Sequence, residues 1–547
     1  MIRAKDNFLR RTEASCRDVQ HETLRRLLHL NGDSRFAAER GLSGDLTVKQ
    51  FRERIAVSDY ETFRPAIDAV KSGDHRALLG SYNKLLMFAI TSGTTASSKL
   101  IPVTEQFLKD YRRGWQHWGM GIFQSFPEMS LLRLVQISST HQKSKADDGT
   151  PCGNISGLAS SMQKRIVRKL YTIPSEVAAI DDPKFKRRCV ATFALADPWV
   201  GVFVTANPST LLRLLESAKE DSEDILRCIH DGRFAAADKS IVVNRLSAKL
   251  KASPQRAKEL QSIIERHSQF SPGECWPHLQ ALALWTGGSA AAYLPQIKSV
   301  FGALPVRDHG LHASEGRMTI PFENNTSAGI LDTATSFFEF IPVEESDSTA
   351  PTVLEADELQ EGCDYLILLT TSSGFYRYNI YDVVRCVGFH GTTPLLTFQH
   401  KAAHISSITG EKITETQVVE AVRRSTSKLN IEFAEFSLTP FWGEPPGYEL
   451  LLNRSHSGHS IDLNKLSVAV DRELSSVNIE YAEKRDSGRL AALKCEVIPT
   501  AAWKHLAANR LASSGGSIEQ YKHPFLVPDS RFENTLRQQF VNPLPAK

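Results

Sequence analysis

The sequence predicts an α/β protein with a large N-terminal domain of mixed β-sheets flanked by helices, and a smaller α+β C-terminal domain. Three observations predict this arrangement: apolar runs of strand length, amphipathic helical stretches between them, and a change of pattern near residue 400. The chain has 547 residues, 41% hydrophobic and 23% charged, which is enough to bury a large core and form more than one domain. We expect domains at residues 1–402 and 403–547.

The elements of the larger domain begin with LLMFAI at 85–90, a continuous apolar run of strand length. After a loop rich in hydroxyl groups, Thr104 and Glu105 can cap a helix whose apolar residues recur at spacings of three and four. Two longer amphipathic stretches, 209–229 and 254–267, predict scaffold helices.

The second half of the chain reads differently. An alternating, largely apolar stretch over 364–389, interrupted by the turn signal SSG, predicts sheet strands. Beyond residue 400, short strands at 433–438, 448–453 and 492–498 are expected to alternate with helices at 413–428 and 462–483. This pattern is typical of a compact α+β domain.

Composition and charge exclude several classes of function. A formal net charge of +3 over 547 residues, with basic and acidic residues mixed, argues against a nucleic-acid surface. No stretch reaches the roughly 18 apolar residues of a membrane span, and the N-terminus has no apolar signal core, so we expect a cytoplasmic protein. Eight isolated cysteines without a C-x-x-C pair argue against a zinc cage and a disulfide framework.

The hydroxyl-rich loop is the first candidate site. FAITSGTTASSKLIPVT, residues 88–104, places six hydroxyl side chains and a glycine between the predicted strand and the predicted helix. Backbone N–H groups and hydroxyls before a helix suit phosphate oxygens, which predicts a nucleotide-phosphate site. The second glycine and the G-K-[ST] ending of a Walker A loop are missing, and a Ser/Thr-rich surface turn is the alternative.

Two further stretches favour the nucleotide-phosphate site over the surface turn. TGGSAAAYLPQIKSVFGALPVRDHGLHASEG at 286–316 places a Gly-Gly-Ser turn before a Ser-Glu pair, and GFYRYNIYDVV at 374–384 adds Asp382 in an aromatic strand context. Together the three stretches resemble adenylate-forming ligases. In detail the chain is similar to the Gretchen Hagen family of acyl-acid amido synthetases, whose other motifs match 338–340, 376–389, 478–485 and 520–524.

The resemblance implies an adenylate-forming ligase fold and an ATP-dependent reaction. A carboxylic acid is activated as acyl-AMP, because AMP is a far better leaving group than oxide, and the acyl group passes to an amine, in this family an amino acid. The family implies ATP and Mg²⁺, with Glu315 as metal ligand and catalytic residue and Ser314 beside the α-phosphate. Asp382 would hold the ribose hydroxyls, and the phosphate-binding residues would be Thr91, Ser92, Gly93, Thr94, Thr95 and Lys99.

Two lysines beyond the nucleotide motifs also match the family. Lys522 follows the Ser/Gly-rich run LASSGGSIEQY, so we expect its ammonium to reach the phosphates as a catalytic charge when the small domain rotates. Lys401 fits a family element near the hinge between the domains, with a role in phosphate binding or in the hinge.

The sequence departs from the family pattern at several positions. Leu311 stands where a tyrosine usually packs on adenine, so His312 or a phenylalanine near 337 is expected to substitute. Tyr381 replaces the usual glycine before the acid, and no arginine follows Pro524. Two alternatives stay open: an acyl-CoA ligase that forms a thioester, and a nucleotide-binding protein without catalysis. The sequence identifies neither the acid nor the acceptor.

Overall fold

The computed structural model describes residues 8–10, 12–13, 15–91, 99–137, 142–155, 157–158, 168–180, 182–234, 241–346, 348–402, 405–409, 411–431, 433, 435–453, 462–513, 522–529, 531–533 and 536. Among these residues no helix is both long and apolar enough to cross a membrane.

The chain divides into two compact units. Unit one comprises residues 1–286 and 297–398, and unit two comprises residues 287–296 and 399–547. The boundary expected at residues 402 and 403 stays a prediction.

Unit one contains three larger sheets, of which the first carries the strands on either side of the hydroxyl-rich loop. Its order is β2-β1-β5-β4. The strand predicted at 85–90 is confirmed as β1. The four strands are β1 (Leu85–Thr91), β2 (Lys99–Thr104), β4 (Ser144–Lys145) and β5 (Pro151–Gly153).

The second sheet has six strands, in the order β11-β12-β16-β15-β14-β13. β13, β14 and β15 form an antiparallel meander, and nearly every residue of β13 and β14 is buried. The strands are β11 (Thr319–Ile320), β12 (Gly329–Leu331), β13 (Phe337–Pro342), β14 (Asp364–Thr370), β15 (Tyr378–His390) and β16 (Thr393–Lys401).

The third sheet is parallel, with the order β3-β6-β7-β8. Every residue of β6 and β7 is buried, as expected for strands covered on both faces. Its strands are β3 (Arg133–Gln136), β6 (Val200–Thr205), β7 (Ala281–Leu284) and β8 (Val306–Asp308), and a two-stranded ribbon of β9 (His312–Ala313) and β10 (Gly316–Arg317) follows.

The helices of unit one begin where the sequence supplies caps. The Thr104 hydroxyl accepts a hydrogen bond from the Phe107 N–H at the start of the helix after β2, which confirms the predicted cap. The helices are α1 (Cys16–Asn31), α2 (Arg35–Glu39), α3 (Val48–Arg54), α4 (Tyr60–Lys71), α5 (Glu105–Ser125), α6 (Pro183–Ala196), α7 (Pro208–Glu220), α8 (Ser222–Asp231), α9 (Ile241–Ser247), α10 (Pro254–His267) and α11 (Pro272–Cys275). α12 (Leu294–Phe301) begins in unit two and continues into unit one.

One helix prediction in unit one needs correction. The single helix expected at 209–229 is broken at Asp221, which ends α7 and precedes α8. Asp221 leaves helical geometry there (φ −100°, ψ 20°), and its carboxylate pairs with Arg188 at 3.3 Å. An aspartate that forms an ion pair outside the helix stabilises the break.

Unit two has the predicted α+β composition. β19 (Phe436–Phe441) pairs antiparallel with β20 (Gly447–Asn453), which pairs parallel with β21 (Lys494–Ile498). A short ribbon joins β17 (Ile405–Ser406) and β18 (Ile413–Thr414), and the helices are α13 (Glu415–Leu429), α14 (Leu463–Val477), α15 (Ile479–Asp486) and α16 (Thr500–Ser513).

Two predictions in unit two were wrong in detail. The helix expected at 462–483 is broken at Asn478, whose side chain accepts a hydrogen bond from the Tyr481 N–H and donates to the Lys412 carbonyl at 2.8 Å. Asparagine favours such a cap over a helix interior. The strand expected at 433–438 lies at 436–441.

Candidate active site

The hydroxyl-rich loop joins two directly paired strands. Thr91 at the end of β1 lies opposite Lys99 at the start of β2, so these two strands form an antiparallel hairpin. Ser92, Gly93, Thr94 and Thr95 lie outside the described residues. The Lys99 ammonium lies 5.3 Å from the centre of the Tyr60 ring, and the Tyr60 hydroxyl accepts from the Leu100 N–H at 3.0 Å. Tyr60 therefore contacts the base of this hairpin.

The Ser-Glu pair forms the tip of a second hairpin. Ala313 pairs with Gly316 and His312 with Arg317, which leaves Ser314 and Glu315 as a two-residue turn. Glu315 is 9% exposed. A carboxylate in such a turn suits Mg²⁺, which usually takes one or two protein carboxylates and completes its shell with water and substrate phosphates.

Asp382 lies in an irregular part of β15. Leu366 faces Val383 while Leu368 faces Asn379, so β15 has two more residues than β14 between these pairs. Such bulges redirect side chains next to functional sites. Tyr381 adopts the left-handed φ of 60°, and its N–H donates to the Asn379 side-chain oxygen at 2.7 Å. The usual family glycine would adopt this conformation without a steric cost.

Tyr378, the first residue of β15, is buried, and it follows a segment that is tied to the start of α4. Burial raises the pKa of Tyr378, and the Glu315 carboxylate raises it further. Ser58, just before α4, joins that segment to β15, because its N–H donates to the Arg377 carbonyl at 3.0 Å and its carbonyl accepts from the Asn379 N–H at 2.8 Å.

A second link joins the first hairpin to the turn before β15. The Ser373 hydroxyl donates to the Pro102 carbonyl of β2 at 2.6 Å. The Asn83 side chain donates to the Ser372 carbonyl at 2.6 Å. The SSG turn predicted from the sequence thus contacts the strand that follows the hydroxyl-rich loop.

A buried ion cluster fixes the start of β15. The Glu339 carboxylate accepts from Arg52 Nε at 2.8 Å on one oxygen and from Arg377 Nε at 3.0 Å on the other. Glu339 is 1% exposed, and Arg377 has a left-handed φ of 47° and also donates to the Ile55 carbonyl at 2.8 Å. Because Arg377 precedes Tyr378, this cluster orients the strand that presents Tyr378 and Asp382.

Asp308 performs a similar role at the carboxyl end of the parallel sheet. One of its oxygens accepts from the N–H and hydroxyl of Thr286, at 2.6 and 2.5 Å, and the other accepts from the Gly310 N–H at 2.6 Å. Burial raises the pKa of Asp308 to about 6, although these hydrogen bonds oppose that shift. Asp308 therefore joins the turns that follow β7 and β8.

Aromatic and basic side chains pack beside the Ser-Glu hairpin. The rings of Trp115, Trp118 and His309 lie within 5.7 Å of one another, and the Arg317 guanidinium lies 4.7 Å from the Trp115 ring. Burial lowers the pKa of Arg317 to about 10 and holds the pKa of His309 well below its ordinary value. His309 is therefore a neutral imidazole inside a packed aromatic cluster next to the Ser-Glu hairpin.

The two rings expected to replace the family tyrosine have different surroundings, and the replacement stays a prediction. Phe337 is 1% exposed and packs on Phe51 in the core, with ring centres 6.3 Å apart. His312 is half-buried, its Nδ1 lies 2.8 Å from the Gly310 carbonyl, and its ring lies 5.8 Å from Trp115. Leu311 is 5% exposed.

The two predicted lysines lie in unit two. Lys401 ends β16, and Lys522 is exposed at the start of a segment that runs beside β19. Phe525 and Val527 of that segment exchange backbone hydrogen bonds with Leu438 of β19, at 2.8 and 2.9 Å. His523 Nε2 lies 2.8 Å from the Phe436 carbonyl. An extended segment that is hydrogen-bonded to β19 thus follows Lys522.

The sequence analysis assigned no role to several residues that organise this site. They are Tyr60, Tyr378, Arg377, Glu339 and Asp308. A charged residue inside an apolar strand, as in SFFEFIP around Glu339, was the available signal for a buried ion pair. Tyr378 carried no such signal, because an aromatic residue in a strand is usually part of the core.

Comparison with known proteins gives consistent matches along the chain. Three family models match: the GH3 family N-terminal domain over residues 5–306, its central domain over 329–401 and its C-terminal domain over 416–531. Indole-3-acetic acid-amido synthetase GH3.3 of Arabidopsis thaliana is 23% identical, with 93% of this chain and 89% of that protein covered. Jasmonoyl-L-amino acid synthetase JAR4 of Nicotiana attenuata is 23% identical, with 93% and 91% covered.

The fold comparison agrees. The solved structure of GH3.15 acyl acid amido synthetase superimposes with a TM-score of 0.85 at 20% sequence identity, and the match covers 97% of this chain and 95% of that one.

Proposed function

Because the chain belongs to the GH3 family, we propose that it is an ATP-dependent acyl-acid amido synthetase. The observation that carries the proposal is that Tyr60 and Ser58 tie the β1-β2 hairpin to the strand of Asp382, while the buried Glu315 lies in the two-residue turn between β9 and β10. The relatives are amido synthetases for indole-3-acetic acid and jasmonic acid, which supports an acid and an amino acid as substrates.

In the first step, a carboxylate oxygen of the acid attacks the α-phosphorus of ATP, and pyrophosphate leaves. The backbone and hydroxyls of residues 91–95, with Lys99, donate to the phosphate oxygens, while Ser314 lies beside the α-phosphate. Asp382 accepts hydrogen bonds from the ribose hydroxyls, and His312 lies against the adenine. Hydrogen-bond donors directed at the phosphates would stabilise the charge that develops there.

Glu315 is the proposed ligand of Mg²⁺. The ion, when bound, neutralises phosphate charge and orients the pyrophosphate leaving group. Glu315 suits this role because it offers a mostly buried carboxylate in the two-residue turn between β9 and β10. The remaining Mg²⁺ ligands would be water and phosphate oxygens.

In the second step, the amine attacks the carbonyl carbon of the acyl-AMP, an amide bond forms, and AMP leaves. We assign Lys522 to the phosphate charge that develops in the first step, and Lys401 to phosphate binding or to the hinge. No covalent enzyme intermediate is required. A cytoplasmic location stays a prediction of the sequence.

A product assay tests the function. The protein is incubated with ATP, Mg²⁺, a panel of aryl and alkyl acids, and either the twenty amino acids or coenzyme A. We expect an acid–amino acid conjugate by mass and an equal amount of AMP. Product with coenzyme A alone would replace amide formation by thioester formation and leave the adenylation site intact.

The proposed metal ligand is tested in the same assay. Glu315→Gln should abolish conjugate formation while the thermal unfolding midpoint stays close to that of the wild type. Glu323, a carboxylate outside the motif, supplies the matched control as Glu323→Gln. Full activity of Glu315→Gln would remove Glu315 from the site.

A further inference from the structure

Two cysteines face each other in unit one, where β14 begins beside β15. In the antiparallel register Asp364 lies opposite Arg385. The next position along both strands therefore brings Cys363 opposite Cys386. Backbone hydrogen bonds show this pairing directly: the Cys386 N–H donates to the Cys363 carbonyl at 3.1 Å, and the Cys386 carbonyl accepts from the Gly362 N–H at 2.7 Å.

The pair is part of a β-bulge that begins with a glycine. Gly362 has a left-handed φ of 87°, and together with Cys363 it lies opposite the single residue Cys386. Opposed residues of antiparallel strands have Cα atoms about 4.5–5.5 Å apart, and a disulfide spans Cα separations of about 4.4–6.8 Å. The spacing of such neighbours is therefore compatible with an S–S bond.

The two thiols also lie on the same face of the sheet. Side chains alternate along a strand, so Cys363 shares a face with Tyr365, and Cys386 shares a face with Val384. Tyr365 lies opposite Val384 in the register. Both cysteine side chains therefore leave the sheet on the same side at neighbouring positions.

The two thiols differ in exposure. Cys363 is exposed, whereas Cys386 is fully buried and its thiol donates to the Gly388 carbonyl at 3.6 Å. Burial raises the pKa of Cys386, so this group stays a protonated thiol. Because the thiolate is the form that reacts with oxidants, the exposed Cys363 is the first to react and Cys386 is its resolving partner.

The other cysteines are poor competitors for an oxidant. All eight cysteines lie in the described part of the chain, and Cys363 is the only exposed one. Burial raises the pKa of four others to about 12: Cys16, Cys189, Cys275 and Cys495. Oxidation should therefore be selective for the pair on β14 and β15.

We propose that Cys363 and Cys386 form a reversible disulfide when the protein meets hydrogen peroxide. The Cys363 thiolate attacks one peroxide oxygen, the O–O bond breaks, and a sulfenic acid forms while hydroxide leaves as water after protonation. The Cys386 thiol then attacks the sulfenic sulfur, the S–O bond breaks, and a second water leaves. The two thiols lose two electrons and two protons in total, and a dithiol reductant restores them.

The bond would join β14 to β15, the strand that also carries Asp382. In reducing compartments disulfides are usually transient and redox-sensing, and an exposed thiol beside a resolving cysteine is typical of such sites. The inference does not depend on the proposed ligase function, because the bond is detected by mass without ATP or substrate.

Peptide mapping tests the proposal on the full chain. The reduced protein is treated with hydrogen peroxide, remaining thiols are blocked with iodoacetamide in denaturant, and the protein is digested with trypsin. Cleavage after Arg385 separates the two cysteines, so a joined pair of peptides identifies the bond. We expect Cys363 joined to Cys386 as the main pair, lost after dithiothreitol. A different main pair, Cys363 joined to Cys363 of a second copy, or no joined pair would overturn the proposal.

A serine variant of the exposed cysteine tests the assignment. Cys363→Ser should abolish the joined peptides, and its exposed position should leave the thermal unfolding midpoint unchanged. Cys495→Ser is the matched control, since Cys495 is half-buried on β21, and it should give as much joined peptide as the wild type. Equal losses in the two variants would contradict the assignment.

The order of the two steps is tested with Cys386→Ala. Without its resolving partner Cys363 should accumulate as the sulfenic acid, which dimedone captures as a stable thioether. The wild type should give much less of this adduct, because the disulfide forms instead. Equal dimedone labelling of Cys363 in both proteins would remove Cys386 as the partner. If Cys386→Ala does not fold, the peptide map of the wild type decides by itself.

Discussion

The two units hold their candidate site residues in opposite ways. In unit one, Glu315 and Asp382 are buried, and the strand that carries Asp382 is fixed by the Glu339 ion cluster. In unit two, Lys522 is exposed and precedes an extended segment that is hydrogen-bonded to β19. This difference predicts that variants of the Glu339 ion cluster should change stability and activity together, whereas a change at Lys522 should affect the reaction alone.

The largest effect is expected at Glu339. Glu339→Gln leaves Arg377 and Arg52 without a balancing charge, and breaking a buried pair costs about 3–5 kcal/mol. We expect a clearly lower midpoint of urea unfolding, followed by tryptophan fluorescence, and a loss of adenylation.

The control is an exposed ion pair in the same sheet. Arg385 makes two 2.7 Å hydrogen bonds to Asp364 across β14 and β15, and both side chains are partly exposed. Asp364→Asn should cost less than about 1 kcal/mol. Equal costs at Glu339 and Asp364 would show that burial does not decide the energetics here.

Lys522 should show the opposite behaviour. Lys522→Ala removes one charge-assisted contact to phosphate, expected to slow acyl-AMP formation by roughly 30- to 1,000-fold. The dissociation constant for ATP should change only a few-fold, because the contact belongs to the transition state. Single-turnover kinetics measure both quantities.

Lys465→Ala, at an exposed position on α14, is the control for Lys522. Both variants should unfold at the wild-type temperature. A wild-type rate of acyl-AMP formation in Lys522→Ala would remove the lysine from the mechanism.

A buried carboxyl group in unit one, that of Asp332, should make the stability of the protein depend on pH. This group is fully buried near Arg113, Arg317 and Asp110, and burial raises its pKa to about 6. The folded state therefore binds this proton more tightly than the unfolded chain does. The bound proton favours the folded state at low pH, and this contribution to the free energy of unfolding is lost as the pH rises from about 4 through 6. Asp332→Asn should flatten this fall and stabilise the protein above pH 6 by about 1–3 kcal/mol.

The corresponding measurement is the unfolding midpoint of both proteins between about pH 4 and pH 8. Asp308 also has a pKa raised to about 6 by burial, so part of the fall should persist in the variant. Identical pH profiles for the variant and the wild type would show that Asp332 stays charged throughout.

The smallest effect is expected at Tyr381. Tyr381→Gly relieves a left-handed conformation that costs roughly 1 kcal/mol but adds the flexibility of glycine, so the net change in stability should be below about 1 kcal/mol. Tyr381→Ile should be less stable than Tyr381→Gly, because a β-branched residue is disfavoured at this φ. Equal melting temperatures for the two variants would contradict the strain at this position.

Much of the fold could be predicted because its signals are local. The strand β1, the cap at Thr104 and the helix α10 follow from apolar spacing and from capping chemistry, and they are confirmed. The breaks at Asp221 and Asn478 were missed because both residues bind partners that are distant in sequence: Arg188 for one and Lys412 for the other. No window of the sequence contains such pairings.

For the site, only the resemblance to the family is confirmed, by the three family models. Glu315 and Asp382 were proposed from motifs. The links of Tyr60 to β2 and of Ser58 to β15 depend on tertiary packing, so neither spacing nor composition could reveal them. The assigned roles of these residues remain predictions.

The most direct test of adenylation is acid-dependent exchange of labelled pyrophosphate into ATP, because it isolates the first step from the unknown acceptor. We predict that at least one acid of an aryl and alkyl panel drives exchange with Mg²⁺, and that exchange stops when the acid is omitted or Glu315 is replaced by Gln. Binding of ATP without exchange for any acid would contradict the account and identify a nucleotide-binding protein without catalysis.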